Sequence, residues 1–208
     1  MFARIIAGVF ALGLRCRTRA FSAFAVSLFG EAGRGIVIIP PFRFANLQNV
    51  SVGDGAIIQP YCWIHTLANG EDDSSQKLII GANVSIGMGA TISAAKRIVL
   101  EEGVLLARNV YISDHGHAFE DISRPIMDQG IRNVREVRVG AGTWLGQNVC
   151  VMPGVQIGKH CVIGANSVVT RSLPDFCVAA GAPARIVRQY DPQTQRWEKR
   201  DCALAEKA

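Results

Sequence analysis

The sequence predicts an all-β fold: a parallel β-helix of about five three-faced coils, with an apolar helical segment before it and a short polar tail after it. Three observations predict it. From Val139 to Thr170 an apolar residue returns at every sixth position: Val139, Leu145, Val151, Ile157, Ile163 and Val169. Glycine follows it at Gly140, Gly146, Gly158 and Gly164, and a slender residue precedes it by two at Thr143, Val149, Val155, Cys161 and Ser167. Three residues after the apolar position stand Gly142, Asn148, Gly154, His160 and Asn166, types that accept a left-handed backbone. A sustained short period with glycine punctuation marks a repeat fold. Six matches neither the period of a helix nor that of a lone strand. It matches short strands joined by tight corners, with one inward residue on each flat face.

The 208 residues suit one domain with a full core. A hydrophobic content of 49% with 21 glycines fits a compact repeat rather than disorder. The net charge of +5 suits a polyanionic ligand without specifying one, and nucleic acid is not among the expected partners. The six cysteines form no C-x-x-C pair; Cys62 and Cys161 fall on the slender inward phase, which implies packing roles and a reducing, cytoplasmic setting.

In chain order, Met1 to Phe29 is apolar but interrupted by Arg15, Arg17 and Arg19, so neither flank reaches the roughly 18 residues of a membrane span. It also lacks the small-x-small site of a cleaved signal peptide. Ile5, Ile6, Val9 and Phe10, then Phe21, Phe24 and Leu28, fall on helical spacing. Two readings stand: a helical cap on the open end of the β-helix, or a basic amphipathic segment on the cytoplasmic membrane surface. The expected division is a cap over residues 1–35, the β-helix over 36–188 with a loop at 113–138, and a polar tail, or short helix, over 189–208.

The hexads begin at Val52, Ile58 and Ile64, and continue through Ile80, Ile86, Ile92, Leu100, Leu106 and Ile112. Corner types keep their phase at Gly55, Asn83, Gly89, Gly103 and Asn109. The spacing breaks only after every third position, following Ile64, Ile92 and Ile112, so all insertions leave one corner, the side on which repeat proteins commonly bind ligands. The insertion after Ile64 is acidic (Glu71, Asp72, Asp73) and reads as a solvated loop, with His65 a loop or face histidine. The long one carries Ser113-Asp114-His115-Gly116-His117 and Arg124-Pro125. A repeat fold needs no such loop for stability, so chemistry is expected there. Beyond Val169, Phe176 to Ala179 reads as a closing strand, and Gly181 to Arg188 as a turn with two cations.

The paired histidines support three readings. One is a general base whose tautomer is fixed by the second histidine or by Asp114. Another is a zinc site, for which only His65 and His160 remain as further histidines where three protein ligands are usual. The last is surface histidines on a binding scaffold.

The hexads, Asp114-His115-Gly116-His117, Trp144, Val162 to Thr170 and Gly181-x-Pro183-Ala184-Arg185 together resemble the hexapeptide-repeat O-acetyltransferases over about residues 50–190, nearest the branch that modifies bacterial surface glycans. The resemblance implies a left-handed β-helix, a homotrimer, acetyl-CoA as cosubstrate without a metal, and a saccharide acceptor. It implies His117 as the base, since it follows Gly116 and lies eight before Pro125, with His115 and Asp114 in support. It implies Trp144, Gly146 and Ala165 along the pantetheine arm, with a backbone N–H near Gly146 facing the oxyanion. Thr170, Arg171, Arg185 and Arg188 would meet the nucleotide and its phosphates. Gly87, Gly89 and Ala94 stand where sugar-acetylating members carry polar acceptor-binding residues, so a small free sugar is not the expected acceptor. The alternatives are a carbonic-anhydrase-like zinc enzyme of the same fold and a non-catalytic scaffold.

Overall fold

The computed structural model describes residues 2–68 and 76–200, with the side chains of its N-terminal helix from residue 12 onward. Glu71, Asp72 and Asp73 of the acidic insertion lie outside the described residues, as does the end of the chain from residue 201.

The hexads fold as short strands on three parallel faces, each of six rungs. The first face runs from Glu31–Ala32 to Gln156–Ile157, the second from Val37–Ile38 to Val162–Ile163, and the third from Arg43–Ala45 to Val168–Val169. All fifteen predicted inward residues are at most 2% exposed. Burying an aliphatic side chain of this size contributes about 1.5–3 kcal/mol, so the column of inward residues is the main source of stability. The slender positions Thr143 and Ser167 are buried with their hydroxyls satisfied: Thr143 Oγ1 donates to the Gly158 carbonyl, and Ser167 Oγ to that of Gly164.

All ten predicted corner residues have positive φ, between 49° and 83°. Asparagine there adds a ladder, with Asn109 donating to Asn148 and Asn148 to Asn166. Glycine at 146 answers a different demand. A Cβ there would lie 2.7 Å from the Ile163 carbonyl oxygen and 2.8 Å from the Ala165 nitrogen, so successive coils stack this closely only without a side chain.

A coil precedes the five expected. Ala32, Ile38 and Phe44 keep the spacing of six, and their strands pair in register with those of the next coil. Ala32 and Phe44, at the open end, are exposed, and so lack the apolar signature of the later rungs. The segment expected to serve as a cap to residue 35 therefore already supplies a rung at Glu31–Ala32. One helix, Phe2–Val26, precedes it. Its last turns close the open end: Ala25 is buried, and Ser22 Oγ accepts from the Ile38 N–H at 2.9 Å while donating to the Thr18 carbonyl of its own helix at 2.7 Å.

At the other end, Cys177–Gly181 adds a parallel strand to the second face as expected. Residues beyond it depart from expectation. Ala184–Asp191 and Arg196–Lys199 form antiparallel strands on that face instead of a turn and an unpatterned tail. Aromatic packing accounts for the pairing: Phe176, Tyr190 and Trp197 follow His160 in a ladder with centroids 5.7–6.2 Å apart.

Candidate active site

The insertions leave the corner between third and first faces, and the long loop rises there from Tyr111–Ser113. Its base is anchored by Asp114. This carboxylate is fully buried and accepts hydrogen bonds from the backbone N–H groups of Ala95, Lys96 and Arg97 at 2.7–2.8 Å. The coil beneath turns at these three residues, between Thr91–Ala94 and Ile98–Leu100. His115 Nδ1 completes the set at 2.8 Å. Burial by itself would raise the Asp114 pKa; the hydrogen bonds from His115 and the three amides outweigh it and hold the carboxyl below its usual range. The Asp114 carbonyl also accepts from Arg135 N–H at 2.8 Å, which pins the far end of the loop beside its start.

Asp114 fixes His115 with Nδ1 as donor and leaves Nε2 3.4 Å from Ser93 Oγ. Ser113 Oγ donates to the His115 carbonyl at 2.8 Å. His65 reaches the same cluster. Its ring stacks on Trp63 with centroids 4.6 Å apart, and burial first, then the neighbouring His115 charge, lowers its pKa. His65, Ser93 and Ser113 were not among the predicted site residues. The signal was present: each directly follows an inward isoleucine, and the three are in register on the third face.

His117 differs from His115. It lies in the two-residue strand Gly116–His117, paired antiparallel with Ile131–Arg132, and is exposed. The loop beyond is held by Arg132, which pairs with Glu120 and lies over the Phe119 ring at 4.9 Å. Its apolar side chains face outward: Ile122 is fully exposed and Met127 is 83% exposed.

The remaining predicted residues form separate groups. Gly146 and Ala165 stack at the corner between second and third faces, and Trp144 projects from the second face with about half its surface exposed. Thr170 and Arg171 are exposed past the last rung of the third face, while Arg185 and Arg188 lie on the Ala184–Asp191 strand. Within one chain the third face separates Gly146 from the histidines. The Gly146 N–H donates to the Ile163 carbonyl at 2.8 Å, so this particular amide is not the expected oxyanion donor. Among the described residues no group of three or more His, Cys, Asp or Glu is arranged to hold a metal ion.

Two family models match the chain: the bacterial transferase hexapeptide (six repeats) over residues 136–171, and the hexapeptide repeat of succinyl-transferase over residues 77–114. A putative acetyltransferase of Saccharomyces cerevisiae, YJL218W, is 35% identical over 154 residues, 72% of each chain. The chain belongs to the hexapeptide-repeat acetyltransferases. The putative lipopolysaccharide biosynthesis O-acetyl transferase WbbJ of Escherichia coli is 37% identical over 123 residues, 56% of this chain. The probable acetyltransferase Rv3034c of Mycobacterium tuberculosis is 38% identical over 131 residues, 63% of this chain. The match spans 63% of the former relative and 42% of the latter. Among solved structures, AntD, an N-acyltransferase from Bacillus cereus in complex with dTDP and 3-hydroxybutyryl-CoA, superposes with a TM-score of 0.70 at 17% identity, over 83% of this chain and 89% of that one. The family's hexapeptide repeats and the three-faced parallel sheet fit a left-handed β-helix.

Proposed function

We propose that this acetyltransferase moves an acetyl group from acetyl-CoA to a hydroxyl of a sugar, within a bacterial surface glycan or its precursor. The observation that carries the reading is the division of labour between the two loop histidines on a hexapeptide-repeat scaffold. His115 is tied to a buried carboxylate, whereas His117 presents an exposed ring from the same anchored base. An exposed imidazole is suited to general-base work on a substrate arriving from solvent.

The residues present suit an elongated thioester. Gly146 and Ala165 themselves carry nothing larger than a methyl group, so a narrow arm could run close to the backbone there. Arg171, Arg185 and Arg188 supply cations for phosphates, with Thr170 next to Arg171 and Trp144 as a wall. Acetyl-CoA, when bound, supplies the activated acetyl group. His117 takes the proton of the acceptor hydroxyl as its oxygen attacks the thioester carbonyl, then gives it to the departing thiol. Asp114 and His115 hold the loop so that His117 is positioned at low entropic cost.

The histidines and the Gly146 corner lie on different corners of one chain, which favours a homotrimer in which a second copy completes each site. The relative named for lipopolysaccharide O-acetylation supports a glycan acceptor. The free state of the five described cysteines favours the cytoplasm, where such an acceptor would be met as a precursor. Thiol release from acetyl-CoA with a panel of glycan acceptors tests the reading. Release that depends on a saccharide and is lost in His117→Ala supports it. Acetyl-CoA binding without turnover on any hydroxyl acceptor would instead identify a binding scaffold.

A further inference from the structure

We infer that the N-terminal helix docks on an anionic lipid bilayer through the face it turns away from the coils. The inference is independent of the acetyl-transfer reading. One side of the helix is committed to the fold, since Ser22 and Ala25 are buried against the first coil and Thr18 is half-buried beside them. At 3.6 residues per turn, the opposite side gathers Leu12, Gly13, Cys16, Ala20 and Phe24 in a stripe roughly 120° wide. All five are exposed, Leu12 and Phe24 by 61% and 62%. From Leu12 to Arg17 every residue is exposed, so this part of the helix stands clear of the coils. A helix segment of this length is marginal in water by itself, and a continuous apolar stripe on it marks a contact surface.

Charge decides what the stripe meets. Arg17 borders one edge, and Arg15 and Arg19 the other. Helix Phe2–Val26 contains four arginines and no acidic residue. Apolar side chains flanked by arginines suit the boundary of a bilayer: the apolar groups enter the acyl region and the guanidiniums reach back to anionic headgroups. Among the described residues no helix is long and apolar enough to cross a membrane. The geometry is that of a helix lying on the surface, with the coils on its other side.

The test uses the full-length protein, floated with phosphatidylcholine vesicles with and without phosphatidylglycerol. Binding is expected only with the anionic lipid, and about 0.5 M salt should weaken it by shortening the screening length to roughly 4 Å. Arg15→Gln, Arg17→Gln and Arg19→Gln together should reduce vesicle affinity on the order of a hundredfold. Leu12→Glu with Ala20→Glu should abolish binding. All five positions are exposed, so both variants should keep the wild-type unfolding midpoint. No binding by wild type, equal binding to neutral vesicles, or unchanged binding by both variants would overturn the inference. So would a wild type that ignores vesicles while the variants lose oligomeric state, since the stripe would then be a contact between copies.

Discussion

The coils and the long loop obey opposite rules, although the loop is rooted in the coils. In the five coils from Val52 onward, every sixth side chain is buried and the backbone of one turn closes on that of the next, as at Gly146. In the loop, apolar residues such as Ile122 and Met127 face outward, and one buried carboxylate, Asp114, secures the base. The two histidines stand on either side of this boundary. His115 is bonded into the coils and His117, two residues later, is not. Neighbouring residues of one type can thus be divided between holding a site and working in it, according to which carries the anchor.

The largest expected effects separate the two histidines. His117→Ala should lower kcat by about 10²- to 10⁴-fold, the usual contribution of a general base, while leaving the thermal midpoint unchanged. His115→Ala should lower the midpoint and reduce kcat less, with KM and kcat shifting together as the loop loosens. If His115→Ala costs more activity at unchanged stability, the assignments must be reversed. In the coils, Leu106→Ala removes a side chain that is 1% exposed and should destabilise by about 2–5 kcal/mol in urea unfolding. A change below 1 kcal/mol would mean that the stack closes over the cavity.

Asp114 tests the boundary through pH. Its folded pKa lies below its ordinary value, so its stabilising contribution is present above about pH 3.9 and is lost as pH falls through the lower, folded value. Asp114→Asn should lower stability at neutral pH and flatten the acid limb of the midpoint-versus-pH curve; parallel limbs would contradict this. His65, depressed by burial and by His115, acts in a separate window: it favours the neutral ring, so its effect is a loss of stability as pH falls below about 6.5. The smallest expected effect is at the loop tip, where Ile122→Ser should stay within about 0.5 kcal/mol of wild type. A larger loss would mean that the tip is covered, as it would be by a second copy in a trimer.

Much of this molecule is legible in its sequence because a β-helix is built from local repeats. Six-residue spacing fixed the inward column, and Gly, Asn and His three positions later marked corners whose backbone few other residues accept. The same phase located the corner from which Asp114, His115 and His117 rise. What tertiary structure decided lies where the period lapses. Ala32 and Phe44 form a first coil without burial to announce it, and residues 184–199 pair into strands because aromatic rings stack across them. Tertiary structure also decided that Asp114 holds the adjacent His115 while bonding the amides of residues 95–97, and that His65 lies in register with Ser93. Apart from the Asp114–His115 pair, these placements link residues of separate coils, set by stacking register. A sequence specifies the register, but it displays the contacts only after the coils are laid one upon another.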